Sequence, residues 1–335
     1  MKSRLLKRFL ISFAGVMFLI LTFGATSYAW FDLSVTNTVN QIEINVSSGM
    51  GLEMSLDGVN FKENLTARDF QKALGYSRFS LMNVTTDDLE TFKGFRGVKD
   101  GEVEYEILEP EGNQYFFYVP IWFRCNTIDP YILNTTTPKV YLLNLVQDDY
   151  TENTPVSYFD TSADGTWIVS RGVSFVSTVD YVNERGELVR ADDNPVVTKY
   201  ASDSVRLGFI TPTGNQKRIF DLSYTALTSG CGTENGAVSY YNATTNTDHI
   251  TSDMIGGLKA NEITTSLTTR FTRDIRDEDD VDSSILTLVK DDDVDSDYWM
   301  GQVYVCIWLE GWDADCYGTI FGDLIFCQLS FGLAG

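Results

Sequence analysis

Apolar and polar residues alternate along most of this chain from Trp30 onward. Phe31, Leu33 and Val35 share one face of an extended segment, Ile42, Ile44 and Val46 one face of the next, and Leu52, Met54 and Leu56 one face of a third. Successive side chains of a strand point to opposite faces, so this period of two predicts half-buried strands. Gly49 and Gly51 punctuate them, and Asp57-Gly58 signals a turn. Val103, Tyr105 and Ile107 alternate again. Tyr115–Phe123 is nearly continuous in apolar residues, which predicts a central strand covered on both faces. Pro120 complicates that reading, because a proline cannot donate to a ladder and prefers an edge or a bulge. Further strands are predicted at Val140–Leu145 and Ser204–Ile210. Near the end, Val303, Val305, Ile307 and Leu309 share a face, and Leu324–Phe331 has two apolar sides. Glu310–Gly318 reads as the loop between them.

The 3.6-residue period is scarce. One short helix is predicted: Asn64 or Thr66 caps it, Asp69 lies in its first turn, Phe70, Ala73 and Leu74 form its apolar face, and Gly75 stops it. Asp87–Phe92 suggests one more turn. Residues 147–200 are rich in polar and turn residues and read as an insertion, interrupted by strand-like pieces at Trp167–Val169 and Val173–Val182. Residues 228–262 read as a second insertion. Aromatic residues make up 13% of the chain, and Thr, Val, Ile, Tyr and Phe recur throughout, so the composition is that of a mostly β protein.

The first 29 residues follow a different pattern. Lys2, Arg4, Lys7 and Arg8 precede a 17-residue apolar run, Phe9–Ala25, and Thr26-Ser27-Tyr28-Ala29 closes it with small residues. That layout is a secretory signal peptide cut near Ala29. The rival reading is an uncleaved anchor, since 17 residues is the lower edge of a membrane span. Both readings export residues 30–335 as one domain with the two insertions, secreted or associated with the cell surface. The membrane enters only through the leader before cleavage.

Formal charge is -22, and removing the leader's four positive charges leaves about -26 on the rest. A phosphate backbone would be repelled, so nucleic acid is not expected as a partner. Five cysteines, Cys125, Cys231, Cys306, Cys316 and Cys327, form no CxxC pair, and an odd number leaves at least one thiol unpaired within the chain. A bridge between Cys306 and Cys327 requires their strands to be neighbours; small buried thiols are the alternative.

Catalytic patterns are missing from the sequence, and no enzyme is expected. His249 is the one histidine, so HExxH is excluded, and no GxSxG accompanies it for a triad. No carboxylate pair is singled out for glycoside hydrolysis. No cofactor is expected beyond a candidate calcium site in an acidic stretch. There Asp291, Asp293 and Asp295, with Asp297 next along, supply hard oxygen donors, although Ser296 and Gln302 depart from an EF-hand loop. The alternative is that this stretch and Asp277–Asp282 are solvated loops.

Three segments together carry a family resemblance. They are Ser27-Tyr28-Ala29-Trp30-Phe31 with Gly51–Gly58, then Ile121-Trp122-Phe123-Arg124 with Val140-Tyr141-Leu142, and Cys306–Cys316 with the apolar strand after it. They resemble exported proteins of Gram-positive bacteria with a SipW-type signal peptide, a group similar to the TasA and camelysin proteins of biofilm matrix and cell surface. The match covers about a third of the chain. The resemblance implies a jelly-roll-like antiparallel β-sandwich and a fibre subunit assembled by donor strand. In that mechanism Phe31, Leu33 and Val35 of one molecule add to the sheet of the next. The alternative is that this strand pairs within its own chain. Partners are then further copies or other matrix and surface proteins. A surface adhesin or binding module, calcium-dependent or not, is the second function expected. Camelysin's metalloprotease classification does not carry over, because zinc ligands are lacking.

Overall fold

Two long strands near the C-terminus, Tyr298–Glu310 and Leu324–Ala334, each form the spine of one sheet. The computed structural model describes residues 37–46, 51–75, 79–109, 115–126, 138–143, 165–223, 231–245, 249–256, 284–290 and 297–334. In chain order the elements are β1 (Asn37–Val46), β2 (Leu52–Ser55), β3 (Asn64–Leu65), α1 (Ala67–Leu74), β4 (Phe79–Leu81), β5 (Asn83–Thr86), β6 (Phe92–Lys99), β7 (Glu102–Leu108), β8 (Phe117–Asn126) and β9 (Lys139–Leu142). They continue with β10 (Trp167–Ser170), β11 (Val173–Val176), β12 (Tyr181–Val182), β13 (Leu188–Val189), β14 (Val196–Lys199), β15 (Val205–Ile210), β16 (Lys217–Asp221), α2 (Ala237–Thr244), β17 (Leu286–Thr287), β18 (Val289–Lys290), β19 (Tyr298–Glu310) and β20 (Leu324–Ala334). The chain is an all-β, sandwich-like protein built largely of antiparallel pairs.

In the seven-stranded sheet, β1 runs parallel to β20, from Thr38 opposite Leu324 to Val46 opposite Phe331. Strands β10 and β9 pair antiparallel along the other side of β20. Strands β3 and β4 cover the two ends of β1's outer edge. In the nine-stranded sheet, β19 is flanked by β8 and then β5 on one side, and by β15 and β18 on the other.

The core lies between these sheets. Ile325, Leu329 and Phe331 of β20 meet Phe123 of β8, Leu207 and Phe209 of β15, and Val303, Val305, Ile307 and Leu309 of β19. The Phe331 ring is 5.1 Å from that of Phe123 and 5.9 Å from that of Phe209, both edge-on, the geometry aromatic quadrupoles favour. The opposite face of β19 builds a second cluster, where Cys306 and Trp308 pack with Phe92, Phe116 and Ile210.

Several expectations are corrected. The segment Tyr115–Phe123 is not covered on both faces: burial alternates strictly from Phe117 to Asn126, with Phe117, Val119, Ile121, Phe123 and Cys125 inward. Tyr118, Pro120 and Trp122, half-buried on the outer face, gave it the look of a continuous core strand. Pro120 fits because β2 pairs only with Trp122–Cys125, so the proline lies beyond β2's end, where that flank needs no donor. Residues 87–91 form a turn between β5 and β6 rather than a helical turn, with Asp88 accepting the Glu90 and Thr91 backbone N–H groups. The piece Val173–Val182 breaks into β11 and β12, each in its own two-stranded ribbon with β14 and β13. Cys306 and Cys327 lie in different sheets, and none of the five cysteines forms a disulfide.

The predicted helix is present. Thr66 N–H and Oγ1–H both donate to Asp69 Oδ2, Gly75 takes a left-handed φ of 83°, and its N–H closes on Gln71. Among the described residues no helix is long and apolar enough to cross a membrane.

Candidate functional site

The Glu310–Gly318 segment is no surface loop. Trp312, Asp313, Ala314, Asp315, Cys316 and Tyr317 are all buried. A buried loop must satisfy its own backbone, and this one does. Gly311 N–H donates to Val84, Asp313 N–H to the Glu310 carbonyl, and Cys316 N–H to the Asp313 carbonyl. Asp315 N–H donates to Asp313 Oδ1 at 2.8 Å, and Ala237 N–H reaches in from α2 to the Ala314 carbonyl at 2.7 Å.

Around this loop gather charges that the core would otherwise exclude. Strand β15 sends Val205, Leu207 and Phe209 inward, so Arg206 points to the other face, 1% exposed. Its cross-strand partner on β16 is Asp221, and Arg206 Nη2 lies 3.0 Å from Asp221 Oδ2. The same nitrogen donates to Asp313 and lies 3.8 Å from Cys231 Sγ. Asp221 is fixed in turn by Ser223, whose N–H and Oγ–H both donate to Oδ1. Glu310, fully buried, accepts Trp308 Nε1–H and the Trp312 N–H, each at 3.1 Å.

A second group stands beside the first. Lys199, at the end of β14, donates to Glu184 in the β12–β13 turn and lies 3.7 Å from Asp315 Oδ1. Its Nζ sits 4.6 Å above the Tyr317 ring, and Tyr317 Oη–H donates to Glu184 at 3.1 Å. Tyr181, Tyr240 and Phe175 close around Tyr317 with ring centroids 5.7–6.4 Å from it.

Six carboxyl groups (Glu184, Asp203, Asp221, Glu310, Asp313, Asp315) thus meet two cations, Lys199 and Arg206. Burying unmatched charge is costly, so protons make up part of the difference. Burial, then the nearby Asp315 and Asp313 charges, push Asp203 up to about 8. Burial pushes Glu310 up to about 7 against the opposing pull of Arg206. Burial is the largest influence on Glu184 and raises it, but the hydrogen bond and charge of Lys199, with further hydrogen bonds including that of Tyr317, together outweigh burial and leave that carboxyl below its ordinary value. Burial raises the thiols of Cys231 and Cys316 strongly, so neither is a thiolate nucleophile at neutral pH.

None of the donor-strand or calcium candidates singled out in the sequence lies in this cluster. Phe31, Leu33 and Val35 lie outside the described residues, as do Asp291, Asp293 and Asp295. Asp297 is described and exposed, at the start of β19. Among the described residues no group of three or more His, Cys, Asp or Glu is arranged to hold a metal ion. One signal for the cluster was present in the sequence: an arginine inside the otherwise apolar Val205–Ile210, and Trp, Cys and Tyr interleaved with the acids of 310–317.

Comparison with models of known families, with curated proteins and with solved structures finds no match.

Proposed function

We propose that this chain is an exported structural protein of the cell surface or biofilm matrix, a subunit that joins further copies through its N-terminal segment. One observation carries the reading. Strand β1 is laid parallel on the C-terminal strand, and it directly follows the alternating residues 30–36. The segment entering that strand already has the side-chain pattern for extending a sheet, and Phe31, Leu33 and Val35 are the residues that would fill a neighbour's pockets. The sandwich architecture and the strongly acidic composition suit a soluble extracellular building block.

Electron microscopy of the mature protein, with N-terminal sequencing of the same sample, tests this. Filaments from chains beginning near Trp30 are expected, and deleting residues 30–36 should abolish them while leaving the circular dichroism spectrum unchanged. Equal assembly of the deleted form would rule out the donor strand.

A further inference from the structure

The geometry points to an intramolecular amide cross-link between Lys199 and Asp315, formed by the folded protein itself with Glu184 as the proton carrier. Three features of the site support it. Nitrogen and acceptor are already together, with Lys199 Nζ 3.7 Å from Asp315 Oδ1. Groups held near van der Waals contact in fixed orientation react as if at enormous concentration, which is how an unactivated carboxyl becomes a usable electrophile. The nitrogen also has a base: Glu184 accepts its hydrogen bond directly, and Tyr317 Oη–H donates to the same carboxylate oxygen. Finally, water is kept out. Lys199 and Asp315 are buried, and the Tyr317 ring beneath Lys199 is itself packed by Tyr181, Tyr240 and Phe175. Exclusion of water favours condensation over hydrolysis. A low dielectric also narrows the gap between the ion pair and the neutral amine and acid that must react.

The step balances without oxidant, reductant or activating group. Glu184 takes one proton from the Lys199 ammonium and hands it to the Asp315 carboxylate. The neutral Nζ then attacks Cγ of Asp315, and the nitrogen–carbon bond forms. A second proton leaves the nitrogen through Glu184 to the hydroxyl on that carbon, the carbon–oxygen bond breaks, and water departs. An ammonium and a carboxylate become an amide and water, and Glu184 ends as it began.

Glu184 is the competing acceptor, since it touches the same nitrogen. Asp315 is favoured as the electrophile because Glu184, kept against the effect of burial below its ordinary value by Lys199 and Tyr317, stays an ionised carboxylate, the form least open to attack.

Mass spectrometry of the full chain tests the proposal. The folded protein is expected to weigh one water less than its sequence, to resist tryptic cleavage after Lys199, and to yield a branched peptide joining Lys199 to Asp315 that reductant does not separate. Lys199→Arg and Asp315→Ala should each restore the full mass, and Glu184→Gln should stay folded by circular dichroism yet remain uncross-linked. Wild-type protein that is folded, at full mass and cleaved after Lys199 would overturn the proposal. A branch mapped to Glu184, or complete cross-linking in Glu184→Gln, would overturn the assigned roles.

Discussion

Arg206 is the residue on which the buried charges depend. One nitrogen serves both Asp221 and Asp313, so removing it leaves two carboxyls buried with no cation beside them. Breaking a buried pair from one side costs about 3–5 kcal/mol, and Arg206→Ala should lose that much in urea denaturation. Arg206→Lys should recover only part, because a single ammonium gives up the second guanidinium nitrogen and its bond to the Val205 carbonyl. Glu310 makes a different prediction. Its folded value, about 7, lies above the ordinary 4.5, so the folded state holds a proton the unfolded chain has released. Stability from this group is therefore complete below about pH 4 and is lost as pH rises through 7, at up to about 1.4 kcal/mol per pH unit. Asp203 acts in the same direction up to about 8. The melting temperature should fall between pH 5 and pH 8, and Glu310→Gln, which cannot ionise and keeps an acceptor for only one of the Trp308 and Trp312 N–H groups, should start from a lower stability but flatten that fall. A melting temperature rising over this range would contradict the assignment.

Between elements, the closest approach is where α2 meets the buried loop. Gly236 has a φ of 64°, and a Cβ there would sit 2.1 Å from the Ala314 carbonyl oxygen. Gly236→Ala should cost about 3 kcal/mol or more, combining left-handed strain with overpacking against backbone. Gly75→Ala, at φ 83° with nothing within 4 Å, should cost only the strain, about 1–2 kcal/mol. Denaturant melts of the two variants give the comparison directly. Elements defined by their own residues were legible in the sequence: β2, β7 and β19 from alternation, β15 and β20 from their apolar content, α1 from its cap and its glycine. The 310–317 loop was not. Its acids suggested solvent, and the groups that allow its burial, Arg206 and Asp221, come from strands a hundred or so residues earlier. Local pattern carries no record of such pairings, so the candidate site stayed hidden while the strands around it were visible.

For the molecule as a whole, the sequence supported an all-β class but not the order of strands. Nothing in Asn37–Val46 announces that its partner is Leu324–Ala334, nor that the pair runs parallel. Parallel neighbours need a crossover, and here the crossover is nearly the entire chain. The long polar stretch after residue 165 also proved to contribute β10 to the main sheet and two small ribbons beside it. The β1–β20 pairing has a mechanical consequence. Tension drawn from residue 37 toward residue 334 pulls the two parallel strands along their length in opposite directions. Their backbone bonds, spread over the register from Thr38 to Val46, are loaded together in shear rather than opened one after another. A chain joined to its neighbours at both ends would carry load through the seam between its first and last strands.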